Sequence, residues 1–278
     1  MESVLIVGAG PVGRALLRGL QEAELPVLLW SRREGRPPPA QPAAVVLLAV
    51  RDEAIGEAAE SMLRAGAAGP GSVLLHCAGA LPPEEALAAQ RGRVRGLGLL
   101  HPLRSLSSGQ EDLRGTVMAL CGDEAAQQEA RRLVAALGGV PLPLEPAQLA
   151  AYHGAAALCA GHAAALLGAA VEVLVAIGLD RRHAEQALAA LCQSMTDNVL
   201  RLGLPAALTG PIARGDVATV RRHLQALPRA NAEAARLYRS LAPAVSRLAA
   251  RKGTAPAAAL EQIDALVAQD DTPDPEEG

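Results

Sequence analysis

Apolar residues recur with two different periods along this chain, and the change of period divides it. The first half alternates short apolar runs with helical spacing. Ser3–Val7, Val27–Trp30, Val45–Val50, Val73–His76, Val94–Leu99 and Thr116–Leu120 read as strands. Val45–Val50 is continuously apolar, as a strand covered on both faces should be. Val12–Glu22, Ala54–Leu63 and Glu124–Leu137 have helical spacing. Asp52 stands at an N-cap position for the second helix, and Gly138-Gly139 ends the third. Strands alternating with helices predict a parallel α/β sheet. Beyond Pro141 and Pro143 the pattern turns helical, near Pro146–Ile177, Arg181–Leu202, Val217–Leu227, Ala230–Arg251 and Pro256–Ala268, with Asp216 as a cap for the third of these. The first is apolar nearly all round, which predicts burial in a bundle or at a dimer interface. The expected organisation is residues 1–146 as an α/β nucleotide-binding domain, 147–269 as an all-α domain, and 270–278 as a disordered acidic tail.

Composition narrows the chemistry. The 278 residues carry a net charge of −3, with no Phe, one Trp and two Tyr. Base-stacking platforms need aromatics, and no basic stripe stands out, so no nucleic-acid partner is expected. Of 26 basic residues only Lys252 is lysine, which removes almost every route to lysine catalysis. The four cysteines have no metal-ligand spacing, so no metal site is expected. The N-terminus shows no signal peptide, and free thiols fit a cytoplasmic protein. Ala155–Leu179 approaches membrane-spanning length but contains His162 and Glu172. A buried helix is the expectation there, with no membrane partner.

The sharpest motif is Val7-Gly8-Ala9-Gly10-Pro11-Val12-Gly13, after a predicted strand and opening a predicted helix. Gly8 permits the tight turn, Gly10 lets a pyrophosphate reach the backbone, and Gly13 allows close helix–strand packing. Free amides at the helix start then bind the phosphates. An NAD site wants an acid about 20 residues on. The second strand instead ends in Trp30-Ser31-Arg32-Arg33, which can donate to an adenosine 2′-phosphate, so NADP is the expected cofactor. Glu34 could neutralise the arginine pair.

With these residues in view, the chain resembles the superfamily of 6-phosphogluconate dehydrogenase, pyrroline-5-carboxylate reductase and ketopantoate reductase. The resemblance lies in Gly8–Gly13, the run Leu47–Ile55, which places Ala49 and Val50 in the cofactor set, and the helical second half. Three further segments, Leu100–Ser105, Tyr152–Ala156 and Leu208–Asp216, resemble a bacterial family of Rossmann-like proteins whose helical C-terminal domain is of unassigned function. The resemblance implies an N-terminal Rossmann domain, NADP binding, a helical dimerisation domain giving a homodimer, and a dehydrogenase or reductase role. The β-hydroxyacid dehydrogenases and ketopantoate reductase use a lysine on the helix opening the second domain. Here Tyr152-His153 stands instead, so their mechanism does not transfer, and at His162 the narrower family leads us to expect Asn.

Candidate catalytic groups are His101, expected directly after a strand with Pro102 fixing the turn, and His153 on the long helix. Both also have structural readings, His101 as a loop-shaping residue. Thr209, Arg214 and Asp216 are substrate-binding candidates, with Arg214 able to anchor an acid and Asp216 equally a helix cap. Cys77 reads as an inert small residue. The expected function is an NADP-dependent oxidoreductase moving a hydride to or from a small C=O or C=N compound in an interdomain cleft. The alternative is a non-catalytic NADP(H)-binding sensor.

Overall fold

A computed structural model describes residues 3–34 and 41–269. The Pro-rich stretch Arg36–Pro39, the acidic tail 270–278 and the Glu34 side chain fall outside that description. Contacts divide the chain into two compact units, Met1–Ala160 and Gly161–Gly278. The division falls later in the chain than the change of period at residue 146.

The first unit carries a seven-stranded sheet in the order β2-β1-β3-β4-β5-β6-β7. The strands are β1 (Val4–Val7), β2 (Val27–Trp30), β3 (Val45–Leu48), β4 (Val73–His76), β5 (Gly96–Pro102), β6 (Val117–Gly122) and β7 (Val140–Pro143). Its helices are α1 (Pro11–Glu22), α2 (Ile55–Arg64), the single turn α3 (Pro83–Ala86), α4 (Glu124–Ala136) and α5 (Leu149–Ala157). This is the expected Rossmann-like α/β architecture, and β1, β3 and β4 are buried along their whole length. One apolar layer packs α1 and α4 against one face, with Ile6, Leu16, Leu47 and Leu133 fully buried. The other packs Ile55, Ala59 and Met62 of α2 beneath Leu48 and Leu74.

Four expectations need correction here. The sheet is not wholly parallel, because β6 runs antiparallel to β5. The described residues form seven strands, not the six read from the sequence, and the prolines at 141 and 143 belong to the seventh. That strand, β7, pairs only with β6 and so tolerates missing amides at an edge. Asp52 does not cap α2, because a 3₁₀ turn over Asp52–Ala54 intervenes and Ala54 takes the cap position. His101 does not follow a strand but lies in β5, opposite Ala119 of β6. The reason lies in the partner strand: antiparallel pairing with β6 carries β5 on for three residues past Leu99, where an apolar run alone would end it.

The region expected as one helix from Pro146 is helical without a break to Ala176, passing from a 3₁₀ turn (Pro146–Gln148) through α5 and a π-helical segment (Leu158–His162) into α6 (Ala163–Ala176). By length and composition Pro146–Ala176 is apolar enough to cross a membrane, and it is only slightly buried. The expected burial is not met within the chain, since Leu158, Leu166 and Ile177 are exposed. The second unit continues with α7 (Arg181–Leu202), the single turn α8 (Pro211–Arg214), α9 (Val217–Ala230), α10 (Ala232–Lys252) and α11 (Ala257–Ala268). Asp180, Asp216 and Asn231 cap α7, α9 and α10 through their side chains. Val220, Ala249 and Ile263 form the centre of this unit's core.

Candidate functional site

A parallel sheet presents its ligand site at the carboxyl ends of its strands. The register aligns Trp30, Val7, Leu48, His76 and Leu99 in one row across β2, β1, β3, β4 and β5. The residues just beyond that row are the turn residues of the expected site.

A cleft of about 740 Å³ opens there. Its lining includes Gly8, Gly10, Pro11, Val12, Ser31, Arg32, Arg33, Ala49 and Val50, which the sequence assigned to the cofactor. Gly13 lies behind it. Each glycine has its own reason. Gly8 sits at φ +118°, and a Cβ there would collide with the Ala49 carbonyl. A Cβ on Gly13 would collide with the Gly8 carbonyl, so helix and loop touch. At Gly10 a Cβ would meet nothing within 4 Å, so the space before it is open. Pro11 opens α1, no side chain caps it, and its first turn holds no acid. The amides of Val12 and Gly13 are therefore left for an anion at the positive end of the helix. A pyrophosphate fits this loop.

The cations around the cleft exceed the pair read from the sequence. Arg14, Arg51 and Arg64 also line it. The Arg14 side chain folds back so that Nε donates to the Ala9 carbonyl at 2.9 Å, across the glycine loop. Ser31 is buried, and its hydroxyl accepts from the Arg33 amide at 3.3 Å. Arg32 is held by an acid on another element, with Nη1 3.0 Å from Oε1 of Glu57. Glu57, Ser61 and Arg64 stand at positions i, i+4 and i+7 of α2, one face of a helix. That spacing was visible in the sequence, but nothing there said which way the face turned.

Further along the same carboxyl end of the sheet, past β4 and β5, four side chains gather from three separate parts of the chain. The Tyr152 hydroxyl lies 2.9 Å from His101 Nδ1. The rings of His101 and His153 meet edge to face, with centroids 5.7 Å apart. Gly79 makes room for both: a Cβ there would stand 2.7 Å from His153 Cδ2 and 3.0 Å from the His101 ring. His76, fully buried at the end of β4, accepts the Ala78 amide at Nδ1, 3.2 Å away. In a neutral imidazole the remaining proton is then on Nε2, which has no protein partner.

Burial dominates the electrostatics of this cluster. It holds His76 down to about 4, with His101 adding to the effect. It holds His101 down to about 4 as well, helped by His153. Both rings are therefore neutral at neutral pH. Burial pushes the Tyr152 hydroxyl up to about 12 and the Cys77 thiol up to about 12, so the thiol is inert and the phenol keeps its proton.

The structure thus joins His101 to His153 and adds Tyr152 and His76, which the sequence did not single out as site residues. Thr209, Arg214 and Asp216 lie together around α8 of the second unit. Thr209 and Arg214 are exposed, and the Asp216 carboxylate accepts the Thr219 amide at 3.0 Å as the cap of α9. The segment is pinned within its own unit. Lys252 Nζ donates to the Leu208 carbonyl at 2.7 Å, and the Thr254 hydroxyl to that of Ala213 at 2.9 Å. The lone lysine is thereby occupied structurally. Among the described residues no group of His, Cys, Asp or Glu could hold a metal ion.

The comparisons with known proteins agree on the fold. Residues 116–245 match the model of a domain of unknown function, DUF2520. Among curated proteins none matches the chain. The structure is similar to that of a Thermotoga maritima protein, at 21% identity and a TM-score of 0.70, over 90% of this chain and 99% of the other. It is similar to a Bacteroides fragilis protein described as a candidate NADP oxidoreductase, at 19% identity and a TM-score of 0.69, over 88% and 98%. It is also similar to a reductive aminase from Aspergillus terreus solved with NADPH and ethyl levulinate, at 18% identity and a TM-score of 0.58, over 95% and 99%. The chain therefore has a Rossmann-like domain followed by a helical domain.

Proposed function

We propose that this protein is an NADP-dependent oxidoreductase that reduces, or reversibly oxidises, a small C=O or C=N compound. One observation carries the reading: a single cleft joins an uncapped glycine loop to a cluster of arginines at the end of β2. The loop suits a pyrophosphate, and Ser31, Arg32 and Arg33 suit an additional phosphate on the adenosine. Bound there, the nicotinamide would supply the hydride. Structural relatives whose names carry NADP or NADPH support the same cofactor.

The protein must then supply a proton to the oxygen or nitrogen of the reduced group. The His101–Tyr152 pair is placed for this, at the same carboxyl end of the sheet as the glycine loop. With its proton on Nδ1, His101 donates to Tyr152 Oη and frees the phenolic hydrogen for an acceptor. As Tyr152 gives that hydrogen up, the Nδ1 proton moves onto Oη while Nε2, which held none, takes one that comes from solvent. His101 can do this while staying neutral. His153, exposed and beside the His101 ring, links the pair to solvent. Thr209 and Arg214 remain our proposed substrate-binding residues from the helical unit, with Asp216 shaping their segment as a cap.

We further infer a homodimer formed through the helical part. Leu149–Val171 contains no Asp, Glu, Lys or Arg, and Leu158, Leu191, Met195 and Leu200 are all exposed. A second copy of this chain would cover such exposed apolar side chains. The cofactor reading is tested by titrating the protein with NADPH and with NADH and then offering the NADPH complex keto acids, aldehydes and cyclic imines. Saturable NADPH binding with turnover supports an enzyme. Binding with no turnover across the panel supports a sensor.

A further inference from the structure

We propose that Glu57 sets the balance between NADPH and NADH, as an acid delivered from α2 to the arginine pair that follows β2. This rests on the reading of the cleft as a dinucleotide site. A site for an unmodified ribose wants a carboxylate to accept from its hydroxyls, whereas a 2′-phosphate wants guanidinium groups and no acid beside them. The turn after β2 supplies the guanidinium groups of the second kind of site, in Arg32 and Arg33. The first turn of α2 places the first kind against it, with Glu57 Oε1 3.0 Å from Arg32 Nη1 and both residues lining the cleft.

The ion pair is well exposed, at 68% for each side chain, so it exchanges readily. A phosphate ester offers Arg32 more charge and more acceptor oxygens than one carboxylate does. Once Arg32 turns to the phosphate, Glu57 is left beside a like charge, which works against NADPH. With NADH, Arg32 stays on Glu57, and the other carboxylate oxygen is available to a ribose hydroxyl. Two other cations lining the cleft are already engaged or distant. Arg51 is engaged by Glu53 at 3.1 Å, and Arg64 stands two helical turns beyond Glu57. Glu57 therefore narrows the preference for NADPH that Arg32 and Arg33 would give on their own.

The test is calorimetric titration of the full chain and of its Glu57→Gln variant with NADPH, NADH and adenosine 2′,5′-bisphosphate at one fixed salt concentration, with melting curves to confirm equal folding. We expect the variant to bind NADPH and the bisphosphate more tightly and NADH more weakly, moving the ratio of the two dinucleotide affinities about tenfold towards NADPH. An unmoved ratio, within about twofold, overturns the inference while leaving the cofactor reading intact. Weaker NADPH binding in Glu57→Gln, matching that of Arg32→Ala, also overturns it, because Glu57 would then be holding Arg32 ready for the phosphate. If the unmodified chain binds neither dinucleotide, the cofactor reading itself fails and this inference falls with it.

Discussion

The Tyr152 hydroxyl and His101 Nδ1 are 2.9 Å apart although 51 residues separate them in the chain. Strand β5 brings one and helix α5 the other. Tyr152→Phe keeps the ring and removes the bond. It should lower turnover with NADPH by about 10²–10⁴-fold while leaving NADPH affinity unchanged. The lost partner of a partly buried nitrogen should cost about 1–3 kcal/mol in chemical denaturation. Unchanged turnover in Tyr152→Phe would remove Tyr152 from the reaction.

Gly79 is the space in which the histidines meet. In Gly79→Ala the added methyl would lie 2.7 Å from His153 Cδ2 and 3.0 Å from the His101 ring. His153 is exposed and can swing away, so the expected stability cost is about 1–2 kcal/mol, not a failure to fold. The catalytic consequence should be larger than the thermal one. Steady-state rates and melting curves on the same preparation separate the two.

The neutral histidines make stability depend on pH with a definite sign. Burial holds His76 and His101 at about 4 in the folded chain, against an unfolded value of about 6.5. Between these values the unfolded chain binds more protons, so acid favours unfolding. Their stabilising contribution is full above about 6.5 and is lost as pH falls towards 4. Melting temperatures should be flat from pH 8 to 7 and then decline towards pH 5, above the range where carboxylates titrate. His101→Gln should decline less steeply. Parallel curves for the two proteins would show that His101 is not held neutral by the fold.

The uncovered apolar helices predict an assembly. Leu191 of α7 is 64% exposed and Leu158 of the π-helical segment 63%. Sedimentation equilibrium should find a dimer at micromolar concentration. Leu191→Asp should shift it towards monomer, because burying an unpaired carboxylate in the interface costs several kcal/mol. A monomer in both proteins would remove the homodimer from the account.

Much of the fold was legible because it rests on local signals. Continuous apolar runs located β1, β2 and β4 within a residue, and Asp216 and the Gly138 turn marked helix ends. The misreadings share one cause, which is dependence on partners distant in the chain. Pro141 and Pro143 look like sheet breakers until β7 is seen pairing on one side only. His101 looks like a loop residue until β6 pairs with it. The π segment has no composition signal distinct from its flanking helices. The same division runs through the site. The glycine loop and Arg32-Arg33 are contiguous and were found. Glu57, Tyr152 and His76 needed the tertiary fold to bring them to the cleft or to His101, and their spacing alone could not say so.

The central claim is that backbone around Gly10 receives a pyrophosphate, and the structure separates that role from folding. Gly10 has φ −73°, which alanine adopts freely, and a Cβ there meets nothing within 4 Å. Measuring NADPH affinity and melting temperature for the unmodified chain and for Gly10→Ala therefore tests it most directly. We predict that the melting temperature is unchanged within a degree or so, while NADPH affinity falls at least about tenfold because the methyl occupies the phosphate approach. Equal NADPH affinity in the two proteins, or none in either, would contradict the account.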